Sequence, residues 1–562
     1  MKKKAAPVTI VLILAALVAA VGVVTWVVQS RTPSKQHMDL DTCFCISSDD
    51  QVALTADGAV SETPGKMIDG TVYFPYDTVI SVINKRFYYD EEEKLIDVTT
   101  PTQFVSETLD DSNTGDARTE DGTLYLSLPF IRKYTDMECT ELTDPQRVVI
   151  TTKFPYQAAV LTEDAAIRHA DSIRADIVED GKKDEELRIV DADADAAAGI
   201  SVNSGWTHVV TSGGIVGYAE TKSLGEAYEG GTDHVSTVGA YTNIPKDYKI
   251  NMAFYQADNA DSNAFLEQKL EGTKGITTIS PTWFFLNGTG DVTSIADEDF
   301  VKKAHAGGYE VWALLNDFGA GINSKDATYA VLKGTSSRTA VISKILSEAE
   351  RTGIDGINVD IEHVSKEGAA AYLEFIRELS VECRNRGLVL STDTVVPMSY
   401  NAYLDFGEQG TVADYVVVMC YDEHYKGSKE AGSVASLPYV TNGLADIEKK
   451  MKPEKVIAGI PFYTRLWQTI DSGEPSSQLM TMEEAETYVT EHNMSRSWDE
   501  KTSQNYAELN DENGYWQIWL EDEESIAAKM KAVRDSGAAG VAEWRLGDEK
   551  SGIWPVIAEY LQ

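Results

Sequence analysis

Asp355-Gly356-Ile357-Asn358-Val359-Asp360-Ile361-Glu362 is the stretch whose reading decides the fold. As a β-strand it alternates with period two. Asn358, Asp360 and Glu362 then share one face, and Ile357, Val359 and Ile361 share the other. Buried acids are costly unless they are paired or used. A strand of a (β/α)8 barrel resolves the conflict. Its apolar face packs on outer helices, and its acids line the mouth at the strand's C-terminal end, where such barrels carry out chemistry.

The surrounding sequence repeats the pattern. Apolar, strand-like runs recur at 250–255, 276–280, 311–315, 356–362, 388–392, 415–421, 456–461 and 540–544. Helical segments such as 339–352, 366–386 and 525–536 lie between them. Strands alternating with helices predict an α/β fold, a (β/α)8 TIM barrel over residues 240–562. The stretch 466–519 is too long for a plain strand-to-helix connection, which predicts an inserted element with a hairpin around 511–514.

The whole chain has 562 residues, enough for two to four domains. A net charge of −41 argues against a nucleic-acid partner, since phosphate binding needs a basic surface. The five cysteines show no metal-ligand spacing. At the N-terminus, Lys2, Lys3 and Lys4 precede an uncharged run from Ala5 to Gln29 that is long enough to span a bilayer. The lysines favour an inside N-terminus. Residues 1–37 are therefore expected to be a cytoplasmic tip and an uncleaved signal anchor, with everything beyond Arg31 outside the cell membrane.

Residues 38–153 contain a weak internal repeat. Asp69-Gly70-Thr71-Val72-Tyr73-Phe74 is echoed by Asp121-Gly122-Thr123-Leu124-Tyr125-Leu126. Each Asp-Gly pair signals a turn, and each copy continues into a short amphipathic segment and then β-type residues. These two α+β units resemble the stalk repeats named after the N-terminal domain of copper amine oxidases, without a His cluster to hold copper. In residues 154–226, Trp206-Thr207-His208-Val209-Val210, a Gly213-Gly214 turn and Gly217-Tyr218 resemble the closing half of a bacterial SH3-like domain. That resemblance implies a module for cell-wall peptides; a small packed barrel with Trp206 and Tyr218 in its core is the other reading. Residues 192–198 are expected to be a loop and His208 a surface strand residue.

The stretch from Asp355 to Glu362 also resembles the Asp-Gly-x-Asp-x-Asp-x-Glu signature of glycoside hydrolase family 18. Three further landmarks follow in order: Met419-Cys420-Tyr421-Asp422, Gly459-Ile460-Pro461-Phe462-Tyr463, and Glu543-Trp544-Arg545-Leu546-Gly547. The resemblance implies a glycosidase acting beside N-acetylglucosamine, with the substrate's own acetamido group assisting. It implies Glu362 as acid/base, Asp360 as the orienter of the acetamido N–H, and Tyr421 as donor to the acetamido oxygen. Trp544 would form the sugar's floor, and Asp422 would contact the same sugar or the Glu362 environment. For Met419 and Tyr463, substrate contact and core packing both remain open. Asn358 departs from the family's middle Asp; its amide can still hydrogen-bond Asp360 but cannot share a proton with it, and Asp360 is expected to titrate without a like-charge neighbour beneath it. Among relatives similar to spore-cortex peptidoglycan N-acetylglucosaminidases this Asn is familiar. The third strand lacks the usual Ser-x-Gly-Gly, and Asn316 stands there with a sugar-binding or a structural role. No metal or cofactor is required. Anchor, stalk and SH3-like module together favour a cell-wall polysaccharide, peptidoglycan, as partner. A chitinase and a non-catalytic glycan-binding barrel are the alternatives.

Overall fold

Eight parallel strands close on themselves between Ile250 and Trp544. They are β1 (Ile250–Tyr255), β2 (Thr278–Leu286), β3 (Glu310–Asn316), β4 (Gly356–Asp360), β5 (Val389–Val395), β6 (Tyr415–Met419), β7 (Val456–Pro461) and β8 (Gly540–Trp544). Each pairs with the next, and β8 returns to β1 with Glu543 opposite Ala253. A computed structural model describes residues 31–109, 115–471 and 473–561 of the chain. The expected (β/α)8 barrel is present.

Side-chain alternation explains the closure. Ile250, Met252, Phe254, Trp312, Leu314 and Val417 pack together inside the barrel. Ile357 and Val359 point the other way, onto Val341, Ile345, Phe375 and Leu379 of the outer helices. Gly356 is required where it stands, because a Cβ there would lie 2.8 Å from the Val389 carbonyl and 2.9 Å from the Trp312 ring. Two outer helices, Thr335–Thr352 and Ala369–Arg386, each end on a left-handed glycine, Gly353 and Gly387. The expected insertion lies between β7 and β8. It is a five-stranded antiparallel sheet with one helix, Met482–Glu491, and its hairpin turns at Asp511 and Gly514.

The chain divides into two compact units: residues up to Phe87 with Leu109–Gly239, and Tyr88–Thr108 with Ala240–Gln562. The second unit therefore includes an arm that the sequence reading placed in the 38–153 stalk. Strand Leu95–Thr99 of the arm pairs with Phe104–Thr108. Buried charge holds the arm to the barrel helices: Asp97 pairs with Arg338 at 2.5 Å, and Thr99 donates to Glu374 at 2.6 Å.

In the first unit, both Asp-Gly pairs make the expected turns with positive φ at each residue. The two copies of the repeat meet through antiparallel pairing of Tyr73 with Ser127. The helix Leu128–Lys133 of the second copy is capped by Ser127, which accepts the Phe130 N–H. Residues 156–230 form a seven-stranded antiparallel sheet that contains the expected hairpin, Trp206–Val210 with Val216–Glu220. Phe44 and Ala53 share one core with Leu161, Ile167, Leu187 and Val209, across the expected boundary between 38–153 and 154–226. Two expectations are corrected here. Residues Ala192–Ala197 are a helix capped by Asp191, not a loop. That helix carries Asp195 onto His208, whose Nδ1 lies 2.7 Å from the carboxylate; His208 is buried and stacks on Tyr218. All five cysteines are free thiols. The expected signal anchor lies outside the described residues; among the described residues no helix is long and apolar enough to cross a membrane.

Candidate active site

Strand β4 delivers the acids. Asp355, at its foot, accepts the Val311 N–H at 2.8 Å and sits 2.8 Å from His305 Nε2, so the motif's first acid ties β4 to β3. Asn358 and Asp360 face inward and are buried. The strand ends at Asp360, short of the expected 362. Glu362 lies in the following loop, exposed at the barrel mouth. Its position is set by Asp317, a fully buried carboxylate just beyond β3. Asp317 accepts the backbone N–H groups of Glu362 at 3.2 Å and His363 at 3.0 Å, and the Thr328 hydroxyl at 2.7 Å.

The Asn358 amide has its expected partner replaced. It donates to Asp393 Oδ2 at 2.9 Å and to Ser280 at 3.4 Å, and it accepts the Ser391 hydroxyl at 2.6 Å. No bond to Asp360 forms. The reason is register: Asn358 lies opposite Ser391 and Val359 opposite Thr392, which sets Asp360 beside Asp393 on the inner face. Asp360 therefore does have a like-charge neighbour, beside it rather than beneath it. Asp360 Oδ1 and Asp393 Oδ1 are both buried without a hydrogen-bond partner.

These surroundings push protons onto the acids. Burial, then the charges of Asp393, Glu362 and Asp317, hold the Asp360 carboxyl well above the usual carboxylate range. Burial also raises Asp393, and the Asn358 hydrogen bond only partly offsets it. Glu362 is raised by the desolvating walls of the mouth and by Asp317 and Asp422, while His363 pulls the other way. A general acid must be protonated before reaction, and these directions favour that state.

The remaining predicted residues gather on the same rim. Met419 ends β6, and Tyr421 and Asp422 follow it. Asp422 adopts a left-handed backbone, φ 57°, and accepts the Tyr463 hydroxyl at 2.7 Å. Tyr463 is buried and packs edge-on to Tyr421, ring centres 6.3 Å apart. It thus touches the site through Asp422 rather than serving only as core. Trp544 ends β8, packs against Phe254 at 5.3 Å, and is joined to Arg545 by a cis peptide. Asn316 spends its side-chain oxygen on the Phe318 N–H at 3.1 Å, the structural role. Sequence reasoning missed Asp317, Asp393, Ser280 and Ser391. The alternation that singled out Asn358 and Asp360 puts Ser391 on the inner face of the run 388–392, and would have added Asp393 had that run been extended to its true end at Val395.

Residues 318–549 match the family model described as glycosyl hydrolases family 18. The chain is 27% identical over 258 residues to an uncharacterized glycosylase, YvbX, of Bacillus subtilis, an alignment covering 44% of this chain and 74% of that protein. It is 27% identical over 244 residues to a cortical fragment-lytic enzyme of Bacillus anthracis, covering 42% of this chain and 56% of that one. Among solved structures, the C-terminal domain of a putative chitinase from Desulfitobacterium hafniense superposes with a TM-score of 0.51 at 22% identity, over 56% of this chain and all of that domain. That likeness is one of fold.

Proposed function

We propose that the chain hydrolyses β-1,4 bonds at N-acetylglucosamine in peptidoglycan by substrate-assisted, retaining catalysis, a reading supported by the match of residues 318–549 to the family 18 glycosyl hydrolase model. The observation that carries this reading is the pairing of an exposed Glu362 at the mouth with a buried Asp360 whose Oδ1 has no partner. Glu362, held protonated, gives its proton to the leaving glycosidic oxygen. The substrate's acetamido oxygen then attacks the anomeric carbon, and Asp360 accepts the acetamido N–H. Tyr421 donates to the acetamido oxygen and Trp544 supports the sugar face. Water opens the oxazolinium ring as Glu362 takes the proton back.

The choice of peptidoglycan rests on the cortical fragment-lytic relative and on the N-terminal sequence. Lys2–Lys4 and the apolar run behind them support export, with the anchor holding the barrel near the wall and raising its effective concentration there. The test is digestion of purified peptidoglycan and of chitin oligosaccharides by the full chain, beside Glu362→Gln, with products read by mass spectrometry. Wall fragments ending in reducing N-acetylglucosamine, absent with Glu362→Gln, are expected. Cleavage of chitin oligosaccharides alone would make the protein a chitinase. Binding without cleavage of either would leave a glycan-binding barrel.

A further inference from the structure

We infer that Asp393 is a positioning residue that shares one proton with Asp360, and that the family's middle acid has moved sideways onto the neighbouring strand, leaving Asn358 to hold it. The inference rests on the substrate-assisted reading above.

The geometry carries it. Asp360 on β4 and Asp393 on β5 stand at the same level of the inner face, on hydrogen-bonded neighbouring strands. Both are buried, and no lysine or arginine among the described residues pairs with either. Two ionised carboxylates so placed would repel strongly, so one proton between them is the favoured state. Asn358 decides where the free oxygens are. Its amide is fixed by Ser280 and Ser391 and gives an N–H to Asp393 Oδ2. That leaves Asp393 Oδ1 and Asp360 Oδ1, the two unpartnered oxygens, to hold the proton between them. An aspartate at position 358 would instead add a third carboxylate against Asp393.

The shared proton has a task. When the acetamido N–H of the sugar arrives, Asp360 must accept it, and the proton then resides on Asp393 Oδ1. The pair keeps a single negative charge throughout, so no proton need enter from solvent. The other titratable groups that face the pair are Glu362 and Asp317 from the mouth, Tyr421 beyond β6, and Tyr372 from the helix Ala369–Arg386. None of them is a cation that would neutralise Asp360.

The experiment compares pH–rate profiles of the full chain for wild type, Asp393→Asn, Asn358→Asp and the double variant Asn358→Asp/Asp393→Asn on the glycan that the wild type cleaves. Asp393→Asn is expected to move the acid limb of kcat/KM to lower pH by about one unit or more. It should also lower kcat about tenfold or more with KM little changed, since binding contacts are untouched. The double variant, which restores one acid in the family's own position, is expected to recover most of the rate and the original limb. An unmoved acid limb in Asp393→Asn overturns the inference, as does lost activity that the double variant does not rescue. Should Asp393→Asn not fold, Asn358→Asp decides: a raised acid limb supports the shared proton, and an unchanged one overturns it. Wild-type protein that cleaves no glycan, or an active Glu362→Gln, would instead defeat the proposed function.

Discussion

Two buried acid clusters lie on opposite sides of the same barrel wall, and they are built in opposite ways. On the outer side, Asp97, Glu374, Glu378 and Glu408 surround two buried arginines. Arg338 reaches Asp97 at 2.5 Å and Glu378 at 2.6 Å; Arg377 reaches Glu374 at 3.0 Å and Glu408 at 2.9 Å. Thr99 and Thr335 fill further acceptor sites. On the inner side, Asp360 and Asp393 have no arginine, and each keeps one oxygen unsatisfied. Burial raises carboxyls in both places, but only the outer acids are offset by facing cations. The outer cluster fastens the Tyr88–Thr108 arm. In the proposed mechanism the substrate's acetamido N–H completes the inner one. Two buried carboxylates side by side, each with an unpartnered oxygen and neither facing a cation, are the arrangement expected where a site perturbs its own acids.

The comparison can be broken from either side. The largest effect is expected from Glu362→Gln, which should lower glycan cleavage about 100- to 10,000-fold while leaving the melting temperature near that of wild type, because the side chain is exposed. Next comes Arg338→Ala. It strands Asp97 and Glu378 without their cation and should cost about 3–5 kcal/mol in urea unfolding, with turnover per folded molecule unchanged. Asp360→Asn should act with both signs. Cleavage falls steeply, yet unfolding at pH 7 should require about 1–3 kcal/mol more, since the repulsion between two adjacent buried carboxyls is relieved.

That gain is itself pH-dependent. Asp360 is raised in the folded protein above the ordinary value of 3.8. The stability it supports is therefore fully present below that value and is lost as pH climbs through the raised one. The advantage of Asp360→Asn should vanish near pH 4 and grow toward pH 7; a constant difference across that range would contradict the sign. The smallest effect is expected from Tyr463→Phe. It removes the 2.7 Å donor to exposed Asp422 and should slow cleavage only several-fold, about 1 kcal/mol.

Much of this is legible in the amino-acid sequence. The strand at 250–255 and those at 456–461 and 540–544 lie where the apolar runs put them, because burial on both faces writes a continuous signal. Glu362, Asp360, Tyr421, Asp422 and Trp544 all reach the mouth because strand ends carry them there. The arm at Tyr88–Thr108 was not legible. Its strands look like those of the matching second copy of the repeat, where Glu138–Leu142 pairs with Arg147–Thr151. What separates them is an ion pair from Asp97 to Arg338 and a hydrogen bond from Thr99 to Glu374, both to residues more than two hundred positions away. His208 was misplaced for a similar reason, since the helix that buries it reads as a polar, Ala-Asp loop.

By itself, the sequence determined the barrel, the order of its strands and the acid at its mouth, because alternation and strand-end position are local properties of the chain. Tertiary structure alone decided that Asn358 serves Asp393 rather than Asp360, that Asp317 anchors Glu362, and that the Tyr88–Thr108 arm groups with the barrel. Each of these depends on strand register or on the meeting of distant charges, and neither is written in the spacing of nearby residues.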